Sequence, residues 1–293
     1  MDLRALAMGL AFALMWSSAF TSARMIVTEA PPLTALALRF LVSGLIGVGI
    51  AAAMGQSARL SRAQWTAVAV FGVMQNAAYL GLNFVAMQSI PASVAAIVAS
   101  GMPLLVAAAL WLGYGERLPP LGIGGLVAGL AGVAIIMGAR VSGGVDALGL
   151  ALCALGVVAL TVATLAVRGA SGGGNLLMVV GLQMLVGSAV LWPMALAIEP
   201  PPPPPGDWSA RLMLAFAYTT LVPGLAATWV WFALVARIGA TRAAAFHFLN
   251  PAFGVAIAAV LLGERLGPGD VLGVAVVAAG ILAVQLSRRR TVS

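Results

Sequence analysis

The chain of 293 residues holds no lysine, only eight acidic residues, one cysteine and one histidine. Each scarcity removes a class of function. Without lysine there is no Gly-Lys-Ser/Thr phosphate loop, so a nucleotide partner bound that way is excluded. Cys153 stands alone and forms no internal disulfide. With a single histidine beside it no transition-metal cluster can be assembled, so no metal and no cofactor are expected. Charged residues make up 8% of the chain against 62% apolar, and the mean hydropathy is +1.09. That is too little polar surface to cover a soluble globule, and it places the chain in a lipid bilayer.

What is present is a series of long apolar stretches. Ten run at roughly 5–26, 33–54, 65–87, 92–113, 119–138, 146–168, 176–197, 210–235, 242–262 and 269–286, each near the ~20 residues that cross hydrocarbon as a helix. The first resembles a cleaved signal, with Arg4 ahead of it and Thr21-Ser22-Ala23 near its end. That reading is set aside because 146–168 is its counterpart in the second half, with Arg168 in the place of Arg24.

Gly115-Glu116-Arg117 returns as Gly263-Glu264-Arg265, 148 positions on. Pro103 and Pro251 keep the same offset, and so do Ala92, Ala95 and Ala96 with Ala240, Ala243 and Ala244. This predicts a tandem duplication, with halves 1–142 and 143–293 meeting in the connector Ser142-Gly143-Gly144. Five crossings per half turn the halves upside down relative to each other. The expected fold class is an all-α integral membrane protein of ten transmembrane helices, arranged as two inverted five-helix repeats around a central cavity.

An even number of crossings leaves both termini on one side. With that side inward, Arg4, Arg59, Arg62, Arg117, Arg168, Arg237, Arg242, Arg288, Arg289 and Arg290 lie inside, against Arg24, Arg140, Arg211 and Arg265 outside. The bias puts both termini in the cytoplasm. It also accounts for the net charge of +7 without a nucleic-acid partner. The Arg288–Arg290 cluster is expected to meet lipid headgroups. Pro200 to Pro205 read as a stiff outer spacer, and Trp65, Trp111, Trp192 and Trp208 as an interfacial belt. Glycines in the fifth stretch (Gly122, Gly125, Gly129, Gly132) and the tenth (Gly269, Gly273, Gly280) suit close packing within the molecule, so a monomer is expected ahead of a dimer.

Ala37-Leu38-Arg39-Phe40, Pro91-Ala92-Ser93-Val94-Ala95-Ala96 and the two Gly-Glu-Arg endings give the whole chain a pattern that resembles the drug/metabolite transporter superfamily. Within it the chain is similar to the ten-helix EamA-type exporters, and among these to the aromatic amino-acid and methyl viologen exporters. The resemblance implies a bacterial inner (plasma) membrane location, inward termini and a cavity between the halves.

Polar groups inside a span are costly in hydrocarbon and mark a route or a helix contact. Asn76, Tyr79 and Asn83 fall on one helical face and are expected to line the cavity. Pro103 and Pro251 are expected to kink the fourth and ninth helices at matching points, which makes Met102 and Asn250 candidate contacts. Trp16 lies mid-span, where a belt does not account for it, and offers either packing or a stacking surface. Ser17 beside it, Thr164 in the sixth span and Trp231 in the eighth complete the expected cavity. His247 is a candidate proton carrier. Arg39, about six residues from the outer helix end, is read as a structural snorkelling residue first and a carboxylate clamp second.

The function these residues point to is secondary export of small amphiphilic metabolites, neutral or aromatic amino acids foremost, by alternating access. The expected partners are a small-molecule substrate and the lipid bilayer. A broad-specificity drug/cation exporter is the alternative, weakened because all eight acids sit at span ends or in loops. An intramembrane serine hydrolase using Ser100 and His247 is remote, since Val98-Ala99-Ser100-Gly101 lacks the first glycine of a nucleophile elbow. No catalytic residue is therefore expected.

Overall fold

The computed structural model describes residues 3–115, 118–166, 174–238, 243 and 245–289. Glu116, Arg117, Arg168, Ala240, Arg242, Ala244, Arg290 and the 169–173 segment between the sixth and seventh spans lie outside the described residues. Among those described, all regular structure is helical, as a bilayer requires when no water can satisfy a backbone amide. Among the described residues nine helices are long and apolar enough to cross a membrane. Phe246–Leu262 is a tenth, shorter apolar helix.

The two halves repeat each other in their irregularities. The third span begins at the capping box of Ser61 and Gln64, runs as α-helix over Arg62–Phe71, widens to π-helix over Gly72–Tyr79 and returns to α-helix over Leu80–Ala86. The eighth does the same, with α-helix Ala210–Thr219, π-helix Thr220–Ala226 and α-helix Ala227–Ile238. The fourth span breaks between Ala92–Ala99 and Met102–Tyr114. The ninth passes from a 3-10 segment, Ala245–Leu249, into the α-helix Asn250–Leu262. Pro103 and Pro251 each stand in the first turn of the resumed helix, where a missing N–H does no harm. Both resumed helices stop at a left-handed glycine, Gly115 (φ 67) and Gly263 (φ 66). The proline positions are thus helix breaks, sharper than the kinks expected.

Packing follows the same symmetry. The second span (Pro32–Ala53) lies along its counterpart, the seventh (Leu176–Ile198), and the fifth (Pro120–Ser142) along its counterpart, the tenth (Pro268–Arg289). A Cβ on Gly125 would stand 2.6 Å from that of Ala283, and one on Gly280 2.6 Å from the Gly125 carbonyl oxygen. These glycines are consumed within the molecule. Carboxylates tie span ends together across the halves. Glu199 accepts from the amides of Leu33 and Thr34, and Glu264 from those of Ala92 and Ser93, each capping a helix start. Asp146 accepts the Ser89 hydroxyl at 2.7 Å and the Gly149 amide, which hold its carboxyl below the usual range.

Candidate substrate site

Phe12 and Trp16 are four residues apart on the first span (Leu3–Val27), hence on one face. Phe12, 1% exposed, centres an aromatic group. Its ring centroid lies 5.7 Å from Trp16, 4.7 Å from Trp231 of the eighth span and 5.3 Å from His247 of the ninth. His247 meets Trp16 edge-on at 6.5 Å and Trp231 at 5.1 Å. Phe12 was not foreseen, although its spacing from Trp16 was available.

The helix break before Pro251 positions the polar side of this group. Asn250 and His247 lie three residues apart, and the Asn250 Nδ2 to His247 Nδ1 distance is 2.9 Å. The amide nitrogen can only donate, so in this arrangement Nδ1 is the acceptor. Ser17 Oγ donates to the Asn250 carbonyl at 3.2 Å. Asn250 Oδ1 is buried without a partner, an acceptor available to a ligand. At the 148-residue offset the aromatic positions Phe12, Trp16, Trp231 and His247 become Leu160, Thr164, Asn83 and Ala99. The aromatic group therefore belongs to one side of the repeat, and the matching positions carry no ring.

Other expected residues are placed differently. Asn76 Nδ2 donates to the Gln183 carbonyl at 2.9 Å, in the seventh span. Asn83 Nδ2 donates to the Tyr79 carbonyl at 2.8 Å, and its Oδ1 takes the Cys153 thiol at 3.3 Å, in the sixth span Ala147–Ala166. Tyr79 is 3% exposed and packs at Gly156. No hydrogen bond or ring contact joins this trio to the aromatic group among the described residues. In hydrocarbon a buried amide is held by whichever helix offers a partner, and here those are the sixth and seventh. Thr164 Oγ1 donates to its own helix at Leu160, and Met102 packs against the main hydrophobic core. Ser100 Oγ is likewise engaged with the Ala96 carbonyl at 2.7 Å while His247 Nδ1 is engaged with Asn250, so the two form no nucleophile and base pair.

Arg39 corrects the snorkelling expectation. It is 6% exposed and turns inward, with Nη2 3.5 Å from where a Cβ on Gly224 would stand. The space comes from the π-helical segment of the eighth span, which sequence spacing does not reveal.

A model of the EamA-like transporter family matches the chain twice, over residues 3–138 and 147–286. The uncharacterized transporter YvbV of Bacillus subtilis (strain 168) is 25% identical over 254 residues, 86% of this chain and 82% of that one. The WAT1-related protein At3g02690, chloroplastic, of Arabidopsis thaliana is 22% identical over 278 residues, 92% of this chain and 66% of its own. The aromatic amino acid exporter YddG of Ancylobacter novellus is 34% identical over 113 residues, 39% of each chain. A solved crystal structure shares the fold with a TM-score of 0.70 at 23% identity, covering 100% of both chains.

Proposed function

The chain belongs to the EamA-like transporter family, and on that premise we propose that it exports small amphiphilic metabolites, neutral or aromatic amino acids foremost, by alternating access. Members of this family are multi-pass membrane transporters and not enzymes, so a small-molecule cargo and a lipid surround follow from membership. The observation that carries the finer reading is the aromatic group of Phe12, Trp16, Trp231 and His247, with the unpartnered Asn250 Oδ1 beside it. Rings accept the flat side chain by stacking, and a lone acceptor beside them takes an N–H. The relative named as an aromatic amino acid exporter supports the same choice over part of the chain.

In this reading the protein is a monomer in a bacterial inner membrane with both termini in the cytoplasm, and halves 1–142 and 143–293 rock about the site. Asn76, Tyr79 and Asn83 hold the third span to the sixth and seventh during that motion. The described carboxylates lie near span ends, and Glu29, Asp146, Glu199 and Glu264 are bonded there, so cation exchange on a buried acid receives no support. Protein reconstituted into liposomes is the test. Saturable flux of phenylalanine or tryptophan above empty vesicles is expected, and flux of none of a full amino-acid panel would overturn the reading.

A further inference from the structure

Arg39 is enclosed in the second span, its Nε is buried without a partner, and it forms no hydrogen bond or ion pair with any described residue. Its guanidinium carbon lies 5.0 Å from the Phe40 ring centroid. Three of the protein's carboxylates are engaged elsewhere: Glu199 with Leu33 and Thr34, Glu264 with Ala92 and Ser93, and Glu29 with Ser209 and Arg211. A buried cation without a counter-charge is a costly thing to keep in hydrocarbon.

Facing the guanidinium is a notch. A Cβ on Gly224 would meet the Thr219 carbonyl oxygen at 3.1 Å, Arg39 Nη2 at 3.5 Å and Ser43 Oγ at 3.6 Å. Ser43 Oγ reaches the Thr220 carbonyl only at 3.4 Å, a long bond that leaves the hydroxyl able to turn to a better acceptor. The repeat supplies a comparison. The pair Arg39 and Gly224 maps at the 148-residue offset onto Gly187 and Asn76. There the polar residue is satisfied by the Gln183 carbonyl, as helix glue should be. Arg39 has no such satisfaction, so joining helices does not account for it.

We propose that Arg39, with Ser43, is the carboxylate-binding end of the substrate site. A substrate carboxylate takes paired, charge-assisted hydrogen bonds from the guanidinium fork beside Gly224. The proposal rests on the exporter reading and names its substrate class: aromatic or apolar molecules that carry a carboxylate. Gly224, in the π-helical segment of the eighth span, and Trp231, in the α-helix that follows, are seven residues apart, about 10 Å along the axis. A ring stacked at Trp231 and a carboxylate held at Arg39 need a reach of that order.

The full chain, purified in detergent and reconstituted in parallel, is tested with L-phenylalanine, benzoate and phenethylamine. L-phenylalanine and benzoate are expected to raise the thermal midpoint of the wild type, and phenethylamine to leave it unchanged. Arg39→Gln abolishes both shifts and raises KM for L-phenylalanine flux by at least about tenfold, and Arg39→Lys recovers part of the loss. Gly224→Ala, which narrows the notch without removing the charge, serves if Arg39→Gln does not fold. It raises the same KM by about threefold or more. Phenethylamine that protects and crosses as well as L-phenylalanine overturns the proposal, as does an unchanged carboxylate preference in Gly224→Ala and whichever Arg39 variant folds. Benzoate protection lost on changing Arg39, in a protein that moves no amino acid, upholds the anion site while the exporter reading falls.

Discussion

Asn76 lies directly against Gly187: a Cβ built on the glycine would stand 2.5 Å from the Cβ of the asparagine. The third and seventh spans can approach this closely only because one partner has no side chain, and the approach lets Asn76 Nδ2 reach the Gln183 carbonyl one turn away. The contact of Arg39 with Gly224 is its counterpart on the other side of the pseudo-twofold axis.

Gly187→Ala is accordingly expected to destabilise the protein by about 1–3 kcal/mol through overpacking between the third and seventh spans. Gly113→Ala, where an added Cβ meets nothing within 4 Å, is the matched control. Thermal unfolding in detergent, read by size-exclusion survival, separates them. Equal midpoints would show that the helices shift apart freely.

The outer caps give a second expectation. Glu264 satisfies two amides that open the fourth span, and Glu199 two that open the second. Replacing either glutamate by alanine should cost about 0.5–2 kcal/mol, the range for losing a helix cap. Because the capped helix and its glutamate belong to different halves, cysteine accessibility at Ser93 should also rise in Glu264→Ala. Unchanged labelling there would mean that other contacts hold the outer ends together.

The architecture was legible because a bilayer reduces the problem to lengths of apolar chain, and the Gly-Glu-Arg endings gave the period of the repeat. Trp16, Trp231, His247 and Asn250, singled out as aromatic or polar at mid-span, lie together around Phe12. The π-helical segments were not legible, since a widened turn leaves no spacing signature. From that one gap two misplacements follow. The face of Asn76, Tyr79 and Asn83 was drawn from regular helical spacing, which says nothing of which neighbour it meets. Arg39 has the same sequence whether it snorkels outward or turns into the notch of Gly224, and only the eighth span decides.

The arginine distribution leads to a topological expectation, with both ends of the chain in the cytoplasm. A reporter active only outside the cytoplasm should remain silent when fused after Ser293, and become active when inserted in the proline run before Gly206. The reverse pattern would invert the protein in the membrane and place the Glu199 and Glu264 caps on the inner side.

Trp16 provides the test of the site itself. Its indole sits 5.7 Å from Phe12 and 6.5 Å from His247, so it is held by rings on one side and half-buried on the whole. If a substrate ring stacks on that surface, Trp16→Ala removes about 0.5–1.5 kcal/mol of affinity, roughly a threefold to tenfold loss for phenylalanine or tryptophan. Leucine, which fills the same space without a ring, should lose less. The ratio of the two losses isolates stacking from any general loosening, because a protein that merely packs poorly around the missing indole weakens for both substrates alike. Trp16→Phe should restore most of the aromatic preference while leaving the smaller volume unfilled. A Trp16→Ala protein that loses both substrates equally, or that no longer survives extraction from the membrane, would assign the indole to packing beside Phe12 and move the ring-binding surface to Trp231.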